Sequence, residues 1–345
     1  MHKDIDIEEA LGLENARFVD LRSPGEYTVD TIPGAFNLPL LNDEERKIVG
    51  TIYNEQGPYQ AREAGLGIVA PKLPDLVRQL ERIKIHHDLI IFCWRGGLRS
   101  KSVAQLLDLM GIFAYRLKGG YKAYRRHINT FFNEVQLQQI FVVLDGLTGT
   151  GKTEIVHRLE QEDWPVLDLE GLANHRGSVF GSIGLGEQPS QRRLESQIFV
   201  KLISFESRKI IVVEGESRRI GRLFIPEVVY RSMEAGKKVL VYSPMEVRVK
   251  RLVDDYAHGS QEQISAIFNS LSYLQRRLGK RKVIELQRLL NDGQLEEVAE
   301  KLLREYYDVL YQHPEGPEAG YDLCVNSEDV EAAVRQIEAY LCKLI

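Results

Sequence analysis

A chain of 345 residues with 43% hydrophobic and 28% charged residues has the makeup of a soluble globular protein and room for two domains of ordinary size. No apolar run reaches bilayer-spanning length, and the opening Met1-His2-Lys3-Asp4-Ile5-Asp6 lacks a secretory hydrophobic region, so a cytoplasmic location without membrane contact is expected. Three cysteines, Cys93, Cys324 and Cys342, are too few for a disulfide framework and are not spaced as a metal site. A net charge of −5 speaks against indiscriminate nucleic-acid binding but leaves room for a local basic face.

Residues 1–129 read as a first domain. Phe18 to Leu21 is a strand, Arg22 to Tyr27 a polar turn, and Ile32 to Pro39 a turn leading into a short strand. Asp20, Arg22 and Glu26 suit turn and ion-pair roles. Asn42 to Gly67 is a polar, glycine-containing excursion, and Leu76 to Ile83 a helix entered through Pro74 and Asp75. Leu89 to Phe92 is a short buried strand. Val103, Ala104, Leu106, Leu107 and Met110 form a helical stripe closed by Gly111, and Ala114 to Leu117 is a last strand running into Lys118-Gly119-Gly120-Tyr121. Strands alternating with helices imply a parallel α/β sheet.

Cys93 stands out within that pattern. It ends a strand and is followed by Trp94-Arg95-Gly96-Gly97-Leu98-Arg99-Ser100, glycines and then a helix start, where open α/β sheets bind ligands. Neighbouring N–H groups, the helix N-terminus, Arg95 and Arg99 all favour a thiolate, so a depressed thiol pKa is expected. A nucleophilic thiolate in an anion-binding bowl suits transfer of sulfur or selenium through a persulfide or perselenide. Together with Asp20-Leu-Arg-Ser-Pro-Gly-Glu-Tyr27, Ile32-Pro-Gly-Ala-Phe-Asn-Leu-Pro39 and Leu117-Lys-Gly-Gly-Tyr121, this loop resembles a rhodanese domain. Thr31 departs from the histidine found before Ile-Pro-Gly-Ala in many rhodaneses, and that residue is not the nucleophile.

Residues 130–139 read as a connection, and 140–345 as a second domain. The apolar run Ile140 to Leu144 precedes Gly146-Leu147-Thr148-Gly149-Thr150-Gly151-Lys152-Thr153, and Ile155, Val156 and Leu159 follow at helical spacing. This is G-x-x-x-x-G-K-[ST] in its strand–turn–helix context, the phosphate-cradling P-loop. Glycines let backbone N–H groups point at a phosphate, Lys152 adds a cation, and Thr153 offers a hydroxyl to a magnesium ion.

Pro165 to Leu169 is a second strand of this domain. Gly171 to Gly181, containing Asn174, His175 and Arg176, reads as a functional loop. Ile210 to Val213 is a third buried strand ending in Glu214-Gly215-Glu216-Ser217-Arg218-Arg219. It stands in the Walker B place with glutamate where aspartate is usual, and Glu214 or Glu216 could reach magnesium through water. Val239 to Tyr242 is a fourth strand, and Ser243-Pro244-Met245-Glu246 supplies an N-cap, a proline at N1 and a capping-box glutamate. Arg248, Lys250 and Arg251 on the following helix are candidate lid arginines and lysine or a solvated face. A helical extension runs from Glu262 to Tyr311. Its basic run Arg276, Arg277, Lys280, Arg281 and Lys282 is a candidate contact for a phosphate backbone, and Tyr306, Tyr307 and Tyr311 could stack bases, although helical spacing more often means a core. Asp322 to Val325 and the stripe Val330 to Leu341 close the fold, with Cys324 and Cys342 as structural residues.

A rhodanese module joined to such a P-loop domain resembles the tRNA 2-selenouridine synthase family. The resemblance covers essentially the whole chain, through stretches such as Asn42-Asp-Glu-Glu-Arg46, Val49-Gly-Thr-Ile-Tyr53, Leu172-Ala-Asn-His-Arg-Gly-Ser178 and Glu214-Gly-Glu-Ser-Arg-Arg-Ile-Gly221. It implies exchange of sulfur for selenium at C2 of the wobble 2-thiouridine in a tRNA anticodon arm. Selenophosphate would be the donor, and an S-geranyl intermediate would be made from geranyl diphosphate. On that expectation the P-loop with magnesium, held by Thr153 and Glu214, takes the diphosphate, while Cys93 serves the selenium step with Arg95 and Arg99 holding the anionic donor. Asn174, His175, Arg176, Glu214, Glu216, Ser217 and Arg218 would form a second site of the P-loop domain. The run from Arg276 and the patch Arg116 to His127 would meet the tRNA. Other readings stay open: a P-loop kinase or NTPase with a regulatory rhodanese module, a tRNA sulfurtransferase, or a non-catalytic scaffold.

Overall fold

The computed structural model describes residues 1–257 and 261–345, with side chains for 1–254 and 264–345. The chain divides into two compact units, Met1–Val135 and Gln136–Ile345. The first carries strands β1 (Lys3–Ile5), β2 (Ala16–Asp20), β3 (Phe36–Asn37), β4 (Asp88–Phe92) and β5 (Tyr115–Leu117), all parallel in the order β1-β5-β4-β2-β3. Its helices are α1 (Ile7–Leu11), α2 (Pro24–Val29), α3 (Asp43–Glu55), α4 (Pro58–Val69), α5 (Leu73–Lys84), α6 (Leu98–Leu109) and α7 (Gly120–Glu134). Strand β4 lies at the centre, so Leu89 and Ile91 pack with Val19, Leu80, Val103 and Leu107 in a dry core.

Local capping explains where this unit departs from expectation. Arg22 to Tyr27 is not simply a turn: Ser23 and Glu26 form a capping box, Pro24 enters the first turn, and α2 follows. The excursion from Asn42 to Gly67 is mostly two helices, α3 capped by Asn42 and Glu45, and α4 entered through Pro58. Residues 130–134, expected to begin the connection, are the last turn of α7. Tyr121, Tyr124 and Ile128 on its inner face are buried and carry the helix on to Glu134. Asp20 and Arg22 form a buried ion pair, with Nη2 and Oδ2 2.6 Å apart. The guanidinium also donates to the Asp30 carbonyl oxygen at 2.7 Å and lies 3.9 Å from the Tyr121 ring centre.

The second unit is a parallel sheet in the order β12-β11-β6-β8-β7, where β6 is Ile140–Asp145, β7 Val166–Leu167, β8 Ile210–Glu214, β11 Lys237–Tyr242 and β12 Leu323–Asn326. A small antiparallel pair, β9 (Arg219–Ile220) and β10 (Leu223–Phe224), lies outside it. Helices α8 (Lys152–Gln161), α9 (Leu169–Ala173), α10 (Gln191–Ser204) and α11 (Glu227–Glu234) alternate with these strands. The loop expected at Gly171 thus begins inside a short helix, α9, whose N-cap Asp168 accepts the Gly171 N–H.

The helical extension comprises α12 (Met245–Ala257), α13 (Gln261–Leu271), α14 (Gln275–Leu278), α15 (Lys280–Asn291), α16 (Leu295–Leu302) and α17 (Asp308–Tyr311), with a π-helical turn at Leu303–Tyr307. It has its own core, including Leu271, Leu286, Leu302, Tyr306 and Tyr307. Helix α18 (Val330–Leu341) closes the sheet through Ala333, Val334, Ile337 and Leu341. Ser243 does not cap α12 as expected: its Oγ is buried and makes no hydrogen bond. Among the described residues no helix is long and apolar enough to cross a membrane.

Candidate active sites

In the first unit Cys93 follows the carboxyl end of central strand β4 and is only 3% exposed. Its Sγ lies 3.2 Å from Ser100 Oγ and 4.0 Å from the Gly97 carbonyl oxygen. The loop carbonyls are taken up elsewhere: Cys93 O accepts the Tyr121 N–H at 2.9 Å, Trp94 O the Lys122 N–H at 3.0 Å, and Gly96 O the Arg116 guanidinium at 2.9 Å. No hydrogen bond among the described residues takes up the backbone N–H groups of residues 94–97. Two glycines make this close approach possible. Gly96 has φ +64°, and a Cβ there would stand 2.9 Å from the Gly119 nitrogen; Gly120 has φ +57°, and a Cβ there would collide with the Cys93 carbonyl oxygen. The turn is therefore a bowl of unclaimed donors beside a sulfur atom.

The two arginines differ. Arg99, expected to hold an anionic donor, is tied to Glu26 at 2.7 Å, and Glu26 also meets Arg46 at 3.2 Å. Burial opposes ionisation of Glu26, yet the Arg99 hydrogen bond and the Arg46 charge keep its carboxyl below the usual range. The Arg99 charge is thus largely spent within the protein. Arg95 is exposed and pairs with no carboxylate among the described residues, which leaves it as the available cation. Trp94 packs on Tyr121, ring centres 5.2 Å apart, and Leu98 opens α6.

In the second unit the P-loop joins β6 to α8. Gly146, Gly149 and Gly151 have φ of +152°, +81° and +81°. A Cβ on Gly149 would stand 2.8 Å from the Arg248 carbonyl oxygen, and one on Gly146 would strike the Val241 carbonyl. Thr150 is buried, its Oγ1 donating to the Leu147 carbonyl at 2.9 Å. Lys152 Nζ donates to the carbonyls of Gly146 and Leu147 at 2.8 and 3.1 Å, which holds it over the loop.

Thr153 Oγ1 lies 3.4 Å from Glu214 Oε2, so the two expected magnesium ligands do meet. Glu216 and Glu170 join them: the three glutamates offer carboxylate oxygens all within 4.8 Å of one another. Burial raises Glu214 to about 8, with the Glu170 charge adding to the shift, and burial raises Glu170 and Glu216 likewise. Glu214 Oε1 is buried without a hydrogen-bond partner. Three crowded carboxylates and an orphaned oxygen beside a phosphate cradle fit a hard divalent cation.

The surrounding cavity, about 120 Å³, is also lined by Arg176, Ser178, Tyr307, Tyr311 and His313. Of the expected second site, only Arg176, Glu214 and Glu216 line it. Asn174 is a left-handed helix cap with its amide on the Glu187 carbonyl, His175 is buried against Gly181, Ser217 bonds the Arg219 carbonyl, and Arg218 pairs with Glu227. These four hold loops in shape rather than face the cavity. Glu170, Tyr311 and His313 escaped the sequence reading as site residues. Glu170 sits just past the carboxyl end of β7, a position that could have marked it; Tyr311 and His313 arrive from the far helical extension and carry no such signal.

Arg248, read as a lid arginine or part of a solvated face, is instead a brace. It is 1% exposed, donates to the Thr148 carbonyl at 2.8 Å and forms a two-point ion pair with Asp308 at 2.5 and 3.1 Å. Arg251 is half-buried and bonds Ser327, while Lys250 is exposed. Arg276, Arg277, Lys280, Arg281 and Lys282 are all exposed; Lys282 pairs with Glu305, and Arg277 lies 5.9 Å from the Tyr306 ring centre. In the patch Arg116 to His127 much of the charge is compensated, Arg116 by Asp4, Lys118 by Asp6 and His127 by Glu8.

Residues 139–339 match the family model described as the tRNA 2-selenouridine synthase AAA domain, and residues 6–127 the rhodanese-like domain. A tRNA 2-selenouridine synthase of Shewanella loihica is 33% identical over 352 residues, covering 93% of this chain and 92% of that protein. One from Pseudomonas putida is 34% identical over 339 residues, 90% of each chain. One from Nitrosomonas europaea is 36% identical over 260 residues, covering 73% of this chain and 67% of its own.

Because Arg248 braces the P-loop, Arg248→Met should strand the Asp308 carboxylate and destabilise the second unit by about 3–5 kcal/mol. Urea denaturation of the full chain, followed for that unit, reads the effect; a loss below about 1 kcal/mol would contradict the bracing role.

Proposed function

Because the chain belongs to the tRNA 2-selenouridine synthase family, we propose that it replaces sulfur by selenium at C2 of wobble 2-thiouridine in two steps, one in each unit. Selenophosphate is the selenium donor, and geranyl diphosphate makes an S-geranyl intermediate. The observation that carries the reading is the pairing of chemistries: a P-loop cavity with Lys152 and a glutamate cluster in one unit, and a thiol in a bowl of N–H donors in the other.

In the first step the thiocarbonyl sulfur attacks C1 of the geranyl group. The C–O bond breaks, diphosphate departs and the N3 proton is released. Charge grows on the leaving diphosphate, where the fixed N–H groups of residues 147–152 and the Lys152 ammonium stabilise it. Thr153, Glu170, Glu214 and Glu216 would hold magnesium, which supplies further neutralisation of that charge when bound. Alkylation turns a poor leaving group into a thioether.

In the second step selenium adds at C2 and the C2–S bond breaks, releasing geranyl thiol; water then removes the phosphoryl group as phosphate. The N–H groups of residues 94–97 and the Arg95 guanidinium bind the anionic donor, and Cys93 serves the selenium transfer. The exposed run Arg276 to Lys282 offers charge to the anticodon-arm backbone. A P-loop kinase would use the same cradle and would turn over ATP or GTP.

Lys152→Ala should lower S-geranylation of 2-thiouridine tRNA by at least about 100-fold, read as the modified nucleoside by mass spectrometry; full geranylation would overturn the assignment. Cys93→Ala should let S-geranyl-2-thiouridine accumulate when both co-substrates are present, and selenouridine formed at the normal rate would demote the cysteine to scaffolding. Glu214→Gln, which removes a charge without changing shape, should weaken magnesium binding by about tenfold or more in calorimetry; unchanged affinity would exclude the cluster as the cation site.

A further inference from the structure

The first unit contains a cavity of about 550 Å³ that the chemistry at Cys93 does not by itself require. Its walls come from α3, α4 and α6 and are mostly apolar, including Val49, Tyr53, Ala61, Leu66, Leu98 and Val103. The volume falls within the range of small-molecule sites, roughly 300–1,000 Å³.

The helices that form it are poorly buried for their composition. An amphipathic helix normally sets its apolar stripe into the core. Helix α3 buries no residue at all, and α4 buries only Ala61. Tyr53 is 57% exposed and Leu66 is 66% exposed. The apolar side chains of this helical hairpin therefore line a cleft open to water, and apolar surface left in water costs free energy that a bound apolar group would recover. A pair of helices held in that state makes physical sense as one side of a ligand site.

Its position says which ligand. Leu98 follows Gly97 directly and is 63% exposed; it flanks the N–H bowl and also walls the cavity. Arg99 and Ser102 on the next turns of α6 line the cavity as well, with the Arg99 guanidinium fixed by Glu26. A base held at the Cys93 bowl would thus have an apolar chamber beside it, reached along the first turn of α6.

We propose that this chamber takes the ten-carbon isoprenoid chain of an S-alkylated 2-thiouridine during the selenium step. The inference rests on the S-geranyl reading given above. It makes the first unit a reader of the alkylated base: burying the chain distinguishes S-geranyl-2-thiouridine from 2-thiouridine, so the selenium step acts on the activated intermediate. Taking only two or three CH₂ groups of the chain out of water distinguishes the two bases by at least about tenfold.

The test uses the full-length protein and two synthetic anticodon stem-loops, one carrying S-geranyl-2-thiouridine and the other 2-thiouridine. Fluorescence anisotropy gives the ratio of their affinities. The wild type should favour the geranylated stem-loop by about tenfold or more. Leu66→Asp and Val49→Glu, both on helices that carry little of the core, should each bring the ratio close to one while the thermal unfolding curve is kept. A wild-type ratio near one, or a preference that survives both substitutions, overturns the proposal. Because the alkylated base is supplied ready-made, this result is separate from the reading it rests on, which fails instead if the wild type makes no S-geranyl product from geranyl diphosphate.

Discussion

Backbone N–H groups that the protein leaves without acceptors, at the carboxyl edge of a parallel sheet, are the feature on which everything else in each unit is arranged. A parallel strand must give up its ladder where it turns into a helix, and the first turn of that helix has no intrahelical acceptors for its donors. Both units put such a turn on their central strand, β4 in one and β6 in the other. In both, glycines with positive φ let a neighbouring segment approach so closely that any side chain would collide, Gly120 on Cys93 and Gly146 on Val241. The result in each case is an anion cradle whose donors are already aimed.

What differs is the charge placed around the two cradles. Beside Cys93 the carboxylate of Glu26 consumes Arg99, while Arg95 pairs with no carboxylate among the described residues. Beside Lys152 three glutamates crowd within a few ångströms, at a cost in desolvation that raises all their pKa values. Buried acids in that state persist where a cation can neutralise them. The first environment suits a small anionic donor next to sulfur, and the second a diphosphate with a divalent metal.

Most strands of the two sheets and both glycine turns were legible in the sequence because a buried parallel strand is a continuous apolar run and a glycine turn has a fixed spacing; β1 and the β9–β10 pair were not, being only two or three residues long each. Helices α3 and α4 were not, since Gly50, Gly65 and Gly67 interrupt them and their apolar residues are set among polar ones; only the capping pair Asn42 and Glu45 betrays them. Arg248 illustrates a second limit. Its position on α12 is visible in the sequence, but its partner Asp308 lies sixty residues away, and a charge that reads as a solvated lid turns out to be a buried strut. Tyr311 and His313 were missed for the same reason: residues that reach the site from the distant end of the helical extension have no local spacing to recognise.

The central claim is that the P-loop cradle works only before the base is alkylated and the thiol cradle only after. Supplying Lys152→Ala protein with purified S-geranyl-2-thiouridine tRNA and selenophosphate, and no geranyl diphosphate, tests it directly. The account predicts 2-selenouridine at the wild-type rate, because the impaired cradle has been bypassed. Selenouridine formation that still depends on Lys152 would contradict it.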